Sequence, residues 1–274
     1  MIADLLLFIF SLAALPLAGR VSESARRWIA PIAVTGLGIA AWSAACFLAQ
    51  SQIFPTPWES FGAIVELAQS SRLWNDITAS LFRVTWGFGL ATAVGIPLGL
   101  WIGWSARSFA ALNPLVQGLR PISPIAWIPI AILWFGIGDL SAVFLIFLAS
   151  IFPIMVGTTA AVQNIPQVYV RSAANFGLTG FDLFRRVVLP AAMPQIITSL
   201  RIALGVAWLV IVAAEMVGMQ SGLGYLVSDA RNMGKRYDLV VAAMILIGLI
   251  GIVLDVLVRQ LQNFDEVRWG FAKR

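Results

Sequence analysis

The chain has 274 residues, 60% hydrophobic and 11% charged, with a mean hydropathy of +0.90. Soluble domains are about 45–50% apolar and about 25% charged. Here the apolar residues fall in blocks of about 18–22, enough for a helix to cross a hydrocarbon core about 30 Å thick. That organisation excludes a soluble enzyme and defines a polytopic membrane protein. The net charge is +5, but the basic residues cluster at the ends of apolar blocks. This is the positive-inside pattern of a membrane protein rather than a nucleic-acid surface. There is no histidine and one cysteine, Cys46. Intrachain disulfides, Cys/His metal sites and histidine-dependent triads or proton relays are thereby excluded, and no catalytic site is expected. No phosphate-binding loop of the Gly-x-x-x-x-Gly-Lys-Ser/Thr type occurs, so any nucleotide hydrolysis belongs to another chain.

In chain order, Ile2–Ala18 reads as a short extra span ending at Arg20, and a signal peptide is disfavoured because the charge follows the apolar run. Residues 1–28 are thus set apart from a transmembrane domain, 29–274. Ile29–Ala49 is a clear span. Residues 50–75 are polar and read as an external loop with one amphipathic helix, Trp58–Gln69. The next span, about Ile77–Trp104, carries Ala91, Gly95, Gly99 and Gly103 at every fourth position, a seam of small residues that lets two helices approach closely. A proline-rich span follows from Pro114 to about Gly136. Its Pro121, Pro124 and Pro129 free backbone carbonyls and kink the helix. Such breaks survive in lipid where protein or a water-filled cavity satisfies the backbone. The span, with Arg120 and Ser123, is therefore either a pore-lining element or a bent packing helix. Spans Leu140–Val162, Ile196–Val217 and Leu239–Arg259 complete six core spans, with a polar loop at Gly218–Asp238.

Placing Arg20–Arg27 in the cytoplasm puts Arg107, the 166–194 stretch and the basic tail there too, with the C-terminus inside. Glu59, Glu66, Arg72, Asp76 and Asp139 then lie outside. Gly218–Asp238, with Arg231, Lys235 and Arg236, is a basic exception on the outer side.

The stretch 166–190 is amphipathic rather than apolar. Pro166 opens a helix, Gly177 breaks it, and Thr179 or Asp182 restarts a second that Pro190 ends. Its Phe176, Leu178, Phe181, Leu183 and Phe184 are costly to leave in water, which implies a docking partner or a lipid surface. The register resembles the "EAA" loop of permease subunits of ATP-binding-cassette importers: Glu-Ala-Ala, three residues, Gly, nine residues, an aliphatic, any residue, Leu-Pro. Arg171, Ser172 and Ala173 take the first three positions, so the glutamate is absent. Gly177, Val187, Leu189 and Pro190 match in register. Further stretches, Ser80–Val84, Arg120–Pro129, Trp134–Asp139 and Ala213–Met216, resemble the subgroup that carries nitrate, sulfonates, taurine and bicarbonate.

The resemblance implies an all-α type I importer transmembrane fold in the inner membrane. It also implies a homodimer of this chain on two ATPase subunits that hold ATP and Mg, fed by an extracytoplasmic solute-binding protein. The ATPase-coupling residues it implies are Arg171, Ser172, Ala173, Ala174, Phe176, Gly177, Phe181, Leu189 and Pro190. A stand-alone secondary transporter or channel is the alternative, which leaves the 166–190 helices without a purpose. A membrane-embedded enzyme would need clustered carboxylates, and Glu215 and Asp255 lie at opposite depths.

Charges inside spans need partners. Matching depths pairs Arg83 with Glu215 toward the outside and Arg201 with Asp255 toward the cytoplasm. Reversing both charges of a pair should then rescue a single reversal. Arg120 has no carboxylate at its depth. It either contacts an anion in the pathway, with Ser123, Arg83 and Glu215 as further pathway candidates, or snorkels to the inner interface.

Overall fold

The computed structural model describes residues 23–49, 53–234 and 236–263, and among these every regular element is helical. The expectations for Ile2–Ala18 and for the basic tail from Arg268 lie outside the described residues. The chain divides into two compact units, one taking residues up to Ser70 with Asp229–Ile245, the other Ser71–Ser228 with the chain from Leu246 onward.

In the smaller unit, α1 (Glu23–Ala49) is followed by α2 (Pro57–Gln69). The start of α2 is set by a reciprocal cap: the Thr56 N–H donates to Glu59 Oε2 at 2.7 Å, and the Glu59 N–H to Thr56 Oγ1 at 3.3 Å. Arg236 donates to Glu66 at 2.6 Å and to Asp238 at 3.1 Å. The carboxylates of Asp238 first and Glu66 second hold the guanidinium's pKa above its ordinary value.

The larger unit is built around two long helices, α3 (Ser71–Trp104) and α6 (Asp139–Gln163). The small-residue seam of α3 extends one step further than Ala91–Gly103, to Gly87. A Cβ on Gly87, Gly95, Gly99 or Gly103 would come within 2.6, 2.9, 2.6 and 2.8 Å of Ile146, Ile154, Thr158 and Val162. Both backbones therefore lie at the closest approach that only small residues permit. Thr159 Oγ1 donates across the seam to the Gly99 carbonyl at 3.1 Å. On its other side α6 receives α9 (Leu189–Gly218), where Gly157 faces Ser199 with no room for a side chain. Ala91, Ile154, Ala161, Ile196, Leu200 and Ala203 fill the resulting core.

Between α3 and α6 the expected proline-rich span proves to be two helices. The first, α4 (Ala106–Leu119), begins eight residues earlier than Pro114, because Ser105 caps it through the Ser108 N–H. After a break at 120–123, a 3-10 turn (Pro124–Trp127) leads into α5 (Ile128–Phe135), and the two arms meet at 77°. Pro121 and Pro124 remove the N–H groups that a continuous helix would need there.

The stretch after α6 also departs from expectation. α7 (Gln167–Asn175) is a separate helix, but the element restarted at Gly180 does not end at Pro190. It runs from α8 (Gly180–Leu183) through a wide turn at Phe184–Val188 straight into α9, one apolar helical run of 39 residues, Gly180–Gly218. The Leu189 N–H donates five residues back to the Phe184 carbonyl. This widened turn relieves the clash a proline makes with the carbonyl one turn before it. The expected polar loop Gly218–Asp238 likewise contains a helix, α10 (Leu223–Asn232), before α11 (Tyr237–Arg259). Among the described residues, five helices are long and apolar enough to span a membrane, six with the bent α4–α5 pair counted as one.

Candidate functional site

The segment from Gln167 to Val188 is locally determined by one glycine. Gly177 has φ +82°, a conformation that costs an L side chain about 1–2 kcal/mol. Its N–H donates to Ala174 O at 2.9 Å and the Leu178 N–H to Ala173 O at 3.1 Å. These two bonds form the paired cap that closes a helix with a left-handed residue, and Ala173 is the buried residue beneath it. The turn aims α7 away from the run that follows.

Phe184 anchors that run by meeting Trp104 edge to face, ring centroids 5.5 Å apart, and Leu183 and Val188 are buried. The opposite face is open. Phe176 is 87% and Phe181 73% exposed, with Val168 and Tyr169 beside them. Arg171, Ser172, Ala174, Gly177 and Pro190 are exposed too, and Leu189 is half-buried. An aliphatic and aromatic surface of this kind, framed by Arg185 and Arg186, is suited to a groove on another protein.

A second constellation lies at the other end of α3, α6 and α9. Asp76, Ser80 and Arg83 follow one another at i, i+4 and i+7, on one face of α3. Arg83 Nη1 donates to Glu215 Oε1 at 2.8 Å, as the depth pairing anticipated. Arg83 also donates through Nε to Asp139 at 2.7 Å, and to the carbonyl and hydroxyl of Ser221 at 2.8 and 2.7 Å. The Glu215 carboxylate accepts from Ser80 Oγ at 2.7 Å and from the Gly224 N–H at 2.9 Å. The Gly222 N–H donates to Asp76 at 2.8 Å and the Leu223 N–H to Ser80 Oγ at 2.9 Å.

Three side chains from two other helices thus satisfy the first free N–H groups of α10, the groups every helix start leaves open. Gly222, at φ +111°, and Gly224 admit no side chain, since Glu215 and the Val212 carbonyl occupy the space. Both Arg83 and Glu215 are buried and held by several protein partners in this arrangement. Sequence reasoning missed Asp76, Ser80, Asp139 and Ser221; the i, i+4, i+7 spacing on α3 was the available signal.

The second anticipated pair also forms: Arg201 meets Asp255 two-pronged, Nε to Oδ1 at 3.0 Å and Nη2 to Oδ2 at 2.8 Å. Arg120 and Ser123 lie exposed at the α4–α5 break. Among the described residues no carboxylate pairs with Arg120, and no group of three or more His, Cys, Asp or Glu is placed to hold a metal ion.

A helical bundle with closely seamed spans, a broken span and an exposed apolar elbow between two spans defines a membrane transport subunit. The family model for the inner-membrane component of binding-protein-dependent transport systems matches residues 95–264, and the chain belongs to that family. The chain is 44% identical over 186 residues to the nitrate import permease protein of Leptolyngbya laminosa, covering 68% of this chain and 66% of that one. It is 35% identical over 247 residues to the putative aliphatic sulfonates transport permease protein of Escherichia coli, covering 89% and 92%. In fold it is similar to a chain of the MetNI methionine ABC transporter, solved in inward-facing conformations. That match has a TM-score of 0.53 at 21% identity and covers 69% of this chain and 93% of that one. The protein is an ABC importer permease, a multi-pass inner-membrane subunit of a transport system.

Proposed function

We propose that this chain is the translocation subunit of an ATP-driven importer for a small anion of the nitrate, bicarbonate, sulfonate or taurine class. Two copies form the membrane core. Two ATPase subunits, which carry ATP and Mg, dock on the α7 elbow, and an extracytoplasmic solute-binding protein delivers the substrate. The C-terminus lies in the cytoplasm on the same side as the elbow. The observation that carries this reading is the open apolar surface of Phe176 and Phe181 around the left-handed turn at Gly177. A rigid elbow joined to α9 through a continuous helix would pass a closing movement of the ATPase subunits to the spans as a rigid-body displacement. Arg171, Ser172, Ala173, Ala174, Leu189 and Pro190 shape that elbow, and with no glutamate at its first position the contact relies on shape and apolar area. Arg83 and Glu215 act by holding the outer ends of the spans together.

Native mass spectrometry of the gently purified chain tests the proposal. The expected particle holds two copies of the chain with two ATPase subunits. Phe176→Asp with Phe181→Asp should release the ATPase subunits while the permease dimer survives, because both side chains are largely exposed, Phe181 meeting Phe184 with ring centroids 6.3 Å apart. A chain free of ATPase subunits that moves solute into liposomes without ATP would overturn the proposal in favour of a secondary transporter or channel.

A further inference from the structure

The break between α4 and α5 can be placed in depth from what packs on either side of it. Val116, one turn before the break, shares an apolar cluster with Ile102 and Met155. Ile128 and Ala131, after it, share one with Leu145 and Ala149. On α6, a helix of 25 residues from Asp139 to Gln163, those two levels bracket the midpoint. At about 1.5 Å per residue α6 spans the hydrocarbon core, so residues 120–123 sit at its mid-depth. Discontinuous backbone is stable there only where protein or water satisfies it.

Arg120 and Ser123 carry no side-chain hydrogen bond to any described residue, and exposed Ile122 lies between them. The Arg120 backbone is helical and its N–H donates to Val116 O at 3.0 Å, so α4 geometry carries through it. Asn113, Gln117 and Arg120 therefore occupy one helix face at i, i+4 and i+7. Asn113 and Gln117 line a cleft of about 160 Å³ between α4 and α6, with Thr159 and Gln163 facing them across it. The amides of Asn113, Gln117 and Gln163 carry no hydrogen bond to any described residue. Thr159 has already committed its proton to Gly99. The donors left free toward the cleft are amide N–H groups, with a guanidinium one turn further toward mid-depth.

We infer that Arg120, with Ser123 beside it, forms an oxyanion-binding step at the mid-membrane break, and that the Asn113–Gln117 face opposite Gln163 is the inward exit from it. A guanidinium matches two oxygens of a planar or tetrahedral oxyanion. The uncharged amides below it offer weaker donors, so the anion is held at the break and released along the cleft. Leu115, 62% exposed on the opposite face of α4, is the position against which the path is compared. The inference rests on the anion-import reading for its ligand, but the water-filled path can be tested without it.

Cys46 is the chain's one cysteine, so Cys46→Ala gives a thiol-free background. The full complex, with its ATPase subunits and binding protein, is reconstituted in proteoliposomes, and assembly of each variant is checked by native mass. Ser123→Cys and Gln117→Cys should react with the impermeant anion sulfonatoethyl methanethiosulfonate at least tenfold faster than Leu115→Cys. A Ser123→Cys rate no faster than that of Leu115→Cys overturns the path. In parallel, Arg120→Gln should cut ATP-driven uptake of nitrate and methanesulfonate at least tenfold, with Arg120→Lys retaining more than Arg120→Gln. Uptake by Arg120→Gln equal to wild type, with the same concentration dependence, overturns the binding step and leaves the importer reading intact. A wild-type complex that hydrolyses ATP yet moves none of nitrate, methanesulfonate, bicarbonate and taurine overturns the anion reading, while the thiol pattern still decides the path.

Discussion

Arg83 donates to Glu215 at 2.8 Å while the same guanidinium reaches Asp139 at 2.7 Å, so one buried cation joins α9 to the first residue of α6. Ser221 accepts two more of its N–H groups, at the carbonyl and at the hydroxyl. Removing Glu215 leaves the buried guanidinium with the half-exposed Asp139 as its one carboxylate and takes the acceptor from Ser80 and the Gly224 N–H; breaking a buried pair costs up to about 3–5 kcal/mol. Glu215→Ala should therefore abolish accumulation of folded protein or lower its melting temperature sharply in detergent. Arg83→Glu with Glu215→Arg should not rescue either reversal. A carboxylate at 83 would face Asp139 and the Ser221 carbonyl. A double reversal with wild-type stability would show that the network around the pair carries little energy.

Arg201 and Asp255 behave differently because they share one two-pronged contact, with Arg259 as a further positive charge near the carboxylate. The guanidinium is 30% and the carboxylate 49% exposed within the chain, and the two-pronged contact is their only mutual bond. Arg201→Asp should destabilise the link between α9 and α11, and Arg201→Asp with Asp255→Arg should recover most of the loss. Thermal unfolding of the two singles and the double forms a cycle whose coupling term is expected to be favourable. A double variant no better than either single would mean that other groups at this depth set the orientation.

The spans and both ion pairs were legible because they rest on signals local to a segment: blocks of apolar residues, and charge at a given distance from a block's end. What escaped the sequence depended on residues far apart in the chain. α10 looked like a loop because its polar composition hides a helix whose first N–H groups are capped by Asp76, Ser80 and Glu215. Pro190 looked like a terminator, since nothing in the sequence announces the wide turn that accommodates it. Arg120 was legible as an arginine without a partner. That it sits at mid-depth needed the packing of Val116 and Ile128 against α6.

The α3–α6 seam predicts a sharp difference between two glycines ten residues apart. A Cβ on Gly99 would meet Thr158 Cβ at 2.6 Å and the Met155 carbonyl at 2.8 Å, whereas one on Gly89 meets nothing within 4 Å. Overpacking a close interface costs about 1–3 kcal/mol. Gly99→Ala should lower the melting temperature of the purified chain, and Gly99→Leu should prevent recovery of folded protein. Gly89→Ala should be neutral or slightly stabilising, as alanine is the better helix former. Equal effects at the two positions would mean that the helices part without cost.

Gly177 separates conformation from space, because its surroundings leave room for a side chain and only φ +82° stands against one. Gly177→Ala should cost about 1–2 kcal/mol at the elbow, loosening the two bonds that close α7. Gly177→Asn should be the mildest substitution, since asparagine tolerates the left-handed region better than other residues. Because the elbow lies outside the packed core, both variants should keep the melting temperature of the spans. The loss should appear in the chain's hold on its ATPase subunits, with Ala weaker than Asn and Asn weaker than Gly. Measuring retained ATPase subunit on tagged permease at rising detergent stringency gives that order directly. An order in which Asn is worse than Ala would mean that side-chain size at the surface, rather than the left-handed turn, governs the contact.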